Sequence, residues 1–141
     1  MIHPGKIGTD AFRQLDVFMS EPADDCEEAL EWIPAFTDDD WALLERIWAE
    51  RPPEWRANCA HIVGHFATSS SRALLRLALA DTANIVAKEA AIAMCGQMLK
   101  QPEFIAVDAG LLEQLRELKL RDQTNIMFEV DEILRLHGGA G

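Results

Sequence analysis

"RALLRLALADTANIVAKEAAIAMCG", residues 72–96, sets the architecture. Leu74, Leu75, Leu77 and Ala78 recur at helical spacing and read as a short helix. Asp81 follows as the cap of a second helix. The inward face of that helix carries Val86, Ala90 and Met94, and Gly96 stands near its end. A two-helix unit of this size cannot bury its own apolar face, so it requires similar neighbours.

The chain supplies them. "PEWRANCAHIVG" (53–64) has the same spacing as "NIVAKEAAIAMCG" (84–96): Trp55 matches Val86, Cys59 matches Ala90 and Val63 matches Met94, each pair 31 residues apart. A leucine-rich helix precedes each, "WALLERIWAE" (41–50) and "RALLRLALA" (72–80). A weaker third copy is "RDQTNIMFEVDEILRL" (121–136) after "GLLEQLRELKL" (110–120). With its leucines in the first helix, Asp81 at the turn, then Val86, small Ala90 and Met94, the 74–96 stretch resembles a HEAT repeat. Two departures stand out. That family usually places Arg after the Val, where Ala87 stands here, and 53–64 keeps the Arg as Arg56 but puts Trp55 in the Val position. The resemblance covers roughly residues 37–137. It implies an all-α fold, a HEAT-like stack of about eight antiparallel helices wound as an α-solenoid. The alternative is a plain antiparallel bundle.

The remaining segments also read as helix, and no alternating strand pattern with a hairpin signal occurs. Residues 1–8 read as a flexible lead-in to a single domain of 1–141. The first helix follows Thr9, with Phe12, Leu15 and Phe18 or Met19 inward, and Pro22 suits the first turn of the second. Thr37 caps the third, and Asp38 to Asp40 crowd a first turn whose dipole favours acids. Its apolar set is Trp41, Leu44, Ile47 and Trp48, and "RPP" (51–53) ends it. Trp55, Cys59, Ile62, Val63 and Phe66 form the next stripe, and "TSSS" (68–71) is a loop and cap. Leu111, Leu112, Leu115 and Leu118 mark a seventh helix. Asp122 caps an eighth with Ile126, Val130, Ile133 and Leu134 inward, and Gly138 suits its C-terminal cap.

Composition narrows the function. The 141 residues carry 13 Lys/Arg against 24 Asp/Glu, a net charge of −11, which argues against a nucleic-acid ligand. Residues 1–54 hold 14 acids and 4 bases, a balance of −10, and residues 55–141 hold 10 and 9, a balance of −1. Such asymmetry points to a charged interaction surface at one end, set against a plain role in solubility. No apolar run reaches the ~20 residues a bilayer needs, and the opening lacks a signal-peptide pattern. Three scattered cysteines, Cys26, Cys59 and Cys95, read as reduced thiols in a cytoplasmic protein, the last two as small core residues.

Catalytic signatures are scarce. No nucleophile elbow, phosphate loop or dinucleotide fingerprint occurs, and acids on both sides of Cys26 would blunt its thiol. His61 and His65, four apart, share a helix face, but Cys59 points about 200° away and no third ligand is local. The pair reads as an interface or a weak metal site at most. The expectation is no enzyme, no metal and no cofactor.

What remains is acidity on a helical scaffold. Asp24, Asp25, Glu27, Glu28 and Glu31 fall within eight positions, with Asp24, Glu27, Glu28 and Glu31 in one arc opposite Cys26, Ala29, Leu30 and Ile33. With Asp38, Asp39 and Asp40 they form a candidate stripe for a basic protein partner, and Trp32 at its edge is the candidate anchor. Small size, acidity and missing catalytic residues together resemble the immunity proteins of bacterial contact-dependent growth inhibition and polymorphic toxin systems. That likeness implies an antitoxin that neutralises a basic, nuclease-type toxin domain encoded next to it. The alternative is a cytoplasmic HEAT-type adaptor or assembly factor that binds a basic protein without inhibiting it.

Overall fold

The computed structural model describes residues 9–20, 27–100, 108–122 and 127–137, and only the backbone of Glu27 and Glu28. Residues 1–8, Pro22, Asp24, Asp25, Cys26, Ile126 and Gly138 lie outside that set. Among the described residues there are eight α-helices and no strand: α1 (Asp10–Ser20), α2 (Glu27–Trp32), α3 (Asp38–Ile47), α4 (Pro53–Val63), α5 (Ser69–Leu79), α6 (Asn84–Lys100), α7 (Ala109–Arg121) and α8 (Phe128–His137). Short 3₁₀ turns follow α2 and α3, at Ile33–Ala35 and Trp48–Glu50.

The starts of the helices explain their register. Thr37 accepts from the Asp40 N–H while Asp40 accepts from the Thr37 N–H, a reciprocal cap, and Thr68 and Ser71 repeat it 31 positions on. The second helices of the two units, from Pro53 and Asn84, are 31 apart as well. Pro53 is tolerated because a first-turn position needs no N–H donor. The third unit, α7 and α8, keeps the order of elements with longer connections.

Packing follows from this register. α1 packs on α4, α4 on α6 and α6 on α8. α3 packs on α5, α5 lies against α4 and α6, and α5 is tied to α7 by Arg76, which donates to Gln114 Oε1 at 2.7 Å and to Asp108. α6 is the hub, touching α4, α5, α7 and α8, and for this reason it is apolar nearly all round. The six residues matched in the repeat, Trp55, Cys59, Val63, Val86, Ala90 and Met94, are all buried in one continuous core.

Two tryptophans carry polar ties through this core. Trp48 Nε1 donates to Asp81 Oδ2 at 3.1 Å, and the Arg56 guanidinium meets the same carboxylate, with Nη2 to Oδ1 at 3.1 Å and Nε 2.9 Å from Oδ2. Trp55 Nε1 donates to Asp16 Oδ1 at 3.0 Å, and Arg51 Nη2 reaches Asp16 Oδ2 at 2.8 Å. The indoles meet edge to face, 6.3 Å between centroids. The first triad joins the α3–α4 region to the turn before α6, and the second joins α1 to α4.

Several sequence expectations change. Asp81 is no simple cap: α6 begins at Asn84, and the Asp81 carboxylate accepts from the Ala83 N–H besides Trp48 and Arg56. α6 also runs through Gly96 to Lys100. Asp122 closes α7, its N–H donating to Leu118 O, and does not open α8. Leu77 is exposed and Leu79 takes the buried place, and Leu43 is buried where Trp41 and Ile47 are only half-buried.

Asp40 is the largest correction. Expected on an acidic surface, it is 1% exposed. Its carboxylate accepts from the Thr37 N–H (3.0 Å), the Thr9 N–H (3.0 Å) and the Thr9 hydroxyl (2.7 Å), tying the start of α1 to the start of α3. Burial pushes its pKa up, but the hydrogen bonds from Thr37 and Thr9 outweigh it, so the carboxyl lies below its ordinary 3.8. A depressed pKa adds stability that is complete above 3.8 and is lost as pH falls through the folded value. Asp40→Asn is expected to cost about 1–2 kcal/mol at pH 7, the range of a lost cap. That cost should shrink as urea melts are repeated from pH 4 down to pH 2. A constant difference across those melts would deny the carboxylate this role.

Candidate functional site

The described part of the expected acidic stripe falls on α2 and α3. Glu27 and Glu28 belong to the backbone of α2, and Glu31 is exposed at its end. Asp38 and Asp39 stand exposed in the first turn of α3, where the helix dipole favours them. Asp38, Trp41, Ala42 and Glu45 share one face of α3 by helical spacing. Opposite them lie Ser69, Ser70 and Ala73 of α5, and the two faces enclose a groove of about 340 Å³. Trp41 is half-buried, edge-on to Phe36 with centroids 5.2 Å apart. Glu31, Asp38, Asp39 and Glu45 form no ion pair among the described residues. A carboxylate at each end of an aromatic wall suits a lysine or arginine side chain, by charge and by contact with the ring face.

Trp32, the expected anchor, lies elsewhere. It is half-buried, edge-on to Phe18 at 5.7 Å, in a shallow apolar groove beside Val17, Asp10 and Arg13 of α1. Asp10 pairs with Arg13 there. Trp32 and Trp41 therefore serve separate grooves.

His61 and His65 are both exposed, on the end of α4 and just beyond it. Their rings meet edge to face at 5.4 Å, and His61 Nδ1 is 3.5 Å from Glu89 Oε2. They line a cleft of about 580 Å³ with Glu89, Gln97 and Lys100 of α6 and Glu129 of α8. Desolvation holds the His65 pKa below its usual value, helped by His61 and Lys100, so at neutral pH this imidazole is uncharged. Among the described residues no group of three His, Cys, Asp or Glu side chains is placed to hold a metal ion. Cys59 faces away from the histidines into the core, where burial pushes its thiol far up, and burial takes Cys95 to about 12. Neither thiol is a nucleophile at neutral pH.

No protein-family model, curated protein or solved structure matches this chain. The site must be read from its own geometry. Glu45 was within reach of sequence reasoning, since it continues the Asp38–Trp41 face by one helical turn. Glu89, Gln97, Lys100 and Glu129 were not, because only the packing of three helices brings them to the histidines.

Proposed function

We propose that this chain is a binding protein, a HEAT-like helical stack that engages a basic protein partner through the acidic surface of α2 and α3. The reading favoured is an immunity protein acting in the cytoplasm, which neutralises a basic toxin domain by tight stoichiometric binding. One observation carries it: exposed carboxylates without ion pairs flank a half-buried Trp41 in a groove, at the end of the chain whose charge balance is −10. Aromatic side chains in such grooves anchor interfaces, and complementary charge raises the rate and selectivity of docking. Among the described residues no helix is long and apolar enough to cross a membrane.

The test is co-expression with the protein domain encoded beside the gene. Co-purification and rescue of growth are the expected results; co-purification without any toxicity to rescue would favour the adaptor reading. The double reversal Asp38→Lys with Glu45→Lys should weaken binding at least tenfold, about 1.4 kcal/mol, mostly through slower association at low salt. Its thermal midpoint should fall by no more than a few degrees, the cost of a lysine in the first turn of α3, because neither side chain contributes to the core. Equal affinity in the variant would remove this groove from the interface.

A further inference from the structure

Among the described residues, the most exposed large apolar side chains gather on the first helix and the last two. In the packing order α1 on α4, α4 on α6 and α6 on α8, α1 stands first and α8 last. Val17 of α1 is 73% exposed, Phe128 of α8 74% and Leu120 of α7 71%, whereas Leu77, Ile85 and Leu99 of α5 and α6 lie between 38% and 47%. At about 100° per residue, Val17 points away from Phe12, Leu15 and Met19, the buried side of α1. Phe128 points away from Val130 and Ile133, the buried side of α8, and shares its face with Glu132 and Arg135.

Single exposed apolar residues need no explanation, but these two faces match each other in shape and in charge. Around Val17 the surface is concave. With Phe18 and Trp32, whose rings meet edge to face at 5.7 Å, Val17 lines a groove of about 470 Å³. Phe128, at the first position of α8, is a protruding ring. On a chain of net charge −11 both faces are neutral: Asp10 pairs with Arg13 beside the groove, and Glu132 pairs with Arg135 on the face of Phe128. Neutral apolar faces do not select a basic partner. They are the surfaces on which one copy of an acidic chain can approach another without like charges opposing. Each face offers one acid and one base, so two such faces brought together can set each charge against its opposite.

We propose that Phe128 of one copy enters the groove lined by Val17, Phe18 and Trp32 of a second copy, joining the chains head to tail. Burial of the ring against two other aromatic side chains drives the contact. A ring and a groove complement each other and not themselves, so the contact is heterologous, and every copy added brings a further ring and a further groove. Repulsion between copies of charge −11 opposes association, so it is weak at low salt and strengthens as salt screens that charge. The groove at Trp41, where charge attracts a basic partner, responds to salt in the opposite sense. The two readings are independent.

Sedimentation velocity of the full chain between about 10 μM and about 1 mM tests this, a range suited to a small apolar contact. The mean mass should rise above the 15.8 kDa of one chain with concentration, and more so at high salt. Val17→Glu and Phe128→Glu should each remain monomeric. Both should fold, since Val17 faces solvent and the first turn of α8 favours an acid, and circular dichroism checks that they do. Val17→Ser and Phe128→Ser serve in their place if a charge disturbs either helix. The decisive sample is an equimolar mixture of the two variants. One retains the ring and the other the groove, so the mixture should form a dimer and nothing larger. A monomeric wild type across the range, a variant that still associates alone, a mixture that stays monomeric, or association that weakens with salt would each overturn the proposal.

Discussion

Replacing Asp81 with alanine is expected to lower the unfolding free energy by about 3–5 kcal/mol, the range for breaking a buried ion pair by removing one partner. The carboxylate accepts from Trp48 Nε1, Arg56 and the Ala83 N–H, and its side chain is 8% exposed. Without it, Arg56 is left as a charge with little water around it, and the Trp48 indole N–H loses its acceptor. The remaining bond of Arg56, to Arg51 O, cannot neutralise the guanidinium. Replacing both partners by apolar residues, Arg56→Met with Asp81→Leu, should recover much of the loss, because the pair's own desolvation cost disappears too. Urea titrations of the two single variants and the double variant give the coupling directly. Additive losses would show that the two side chains act independently.

The second large effect is expected at Gly64. Its φ of −62° is open to any residue, so the glycine is not there for its backbone freedom. It is there for proximity: a Cβ at this position would stand 2.5 Å from Ala93 Cβ and 3.1 Å from Ala60 O. α4 and α6 meet here with no room for a methyl group. Gly64→Ala should therefore destabilise by about 1–3 kcal/mol, as overpacked cores do. Adding Ala93→Gly removes the opposing methyl group and should restore part of the loss, less the ~1 kcal/mol that glycine costs inside a helix. Thermal melts of the three variants check this. No recovery in the double variant would place the strain at Ala60 O instead.

The helices were legible in the sequence because their caps and stripes are local. Thr37, Thr68 and Pro53 mark starts through their own backbone chemistry, and the 31-residue offset recurs in the structure at Asp38 and Ser69 and at Pro53 and Asn84. What escaped were polar residues whose partners lie on other helices. Asp81 in a turn before a helix looks like a cap, and nothing nearby in sequence shows Trp48 and Arg56 converging on it. Asp40 looks like one more acid in "TDDD", yet Thr9 reaches it from 31 residues away. Gly96 looks like a stop signal because a helix-ending glycine and a mid-helix glycine at a cleft floor are the same letter. The acidic face divided along the same line: Asp38 and Asp39 are exposed as expected, and Asp40 between them and Trp41 turns inward.

Five of the polar ties between elements share a property that bears on how the chain folds. Thr9 to Asp40, Trp48 to Asp81, Asp16 to Trp55, Gln97 to Gly64 and Arg76 to Gln114 all join positions 31 to 39 residues apart, in a chain of 141. Each loop they close spans roughly a quarter of the chain, and lengthening such loops further would add little to the entropy of closing them. Helices form from contacts within a few residues, so each helix can precede the ties that lock it to its neighbours. Since these ties other than that of Arg76 lie within residues 9–97, the newly made chain can join α3 to α6 while α7 and α8 are still being synthesised.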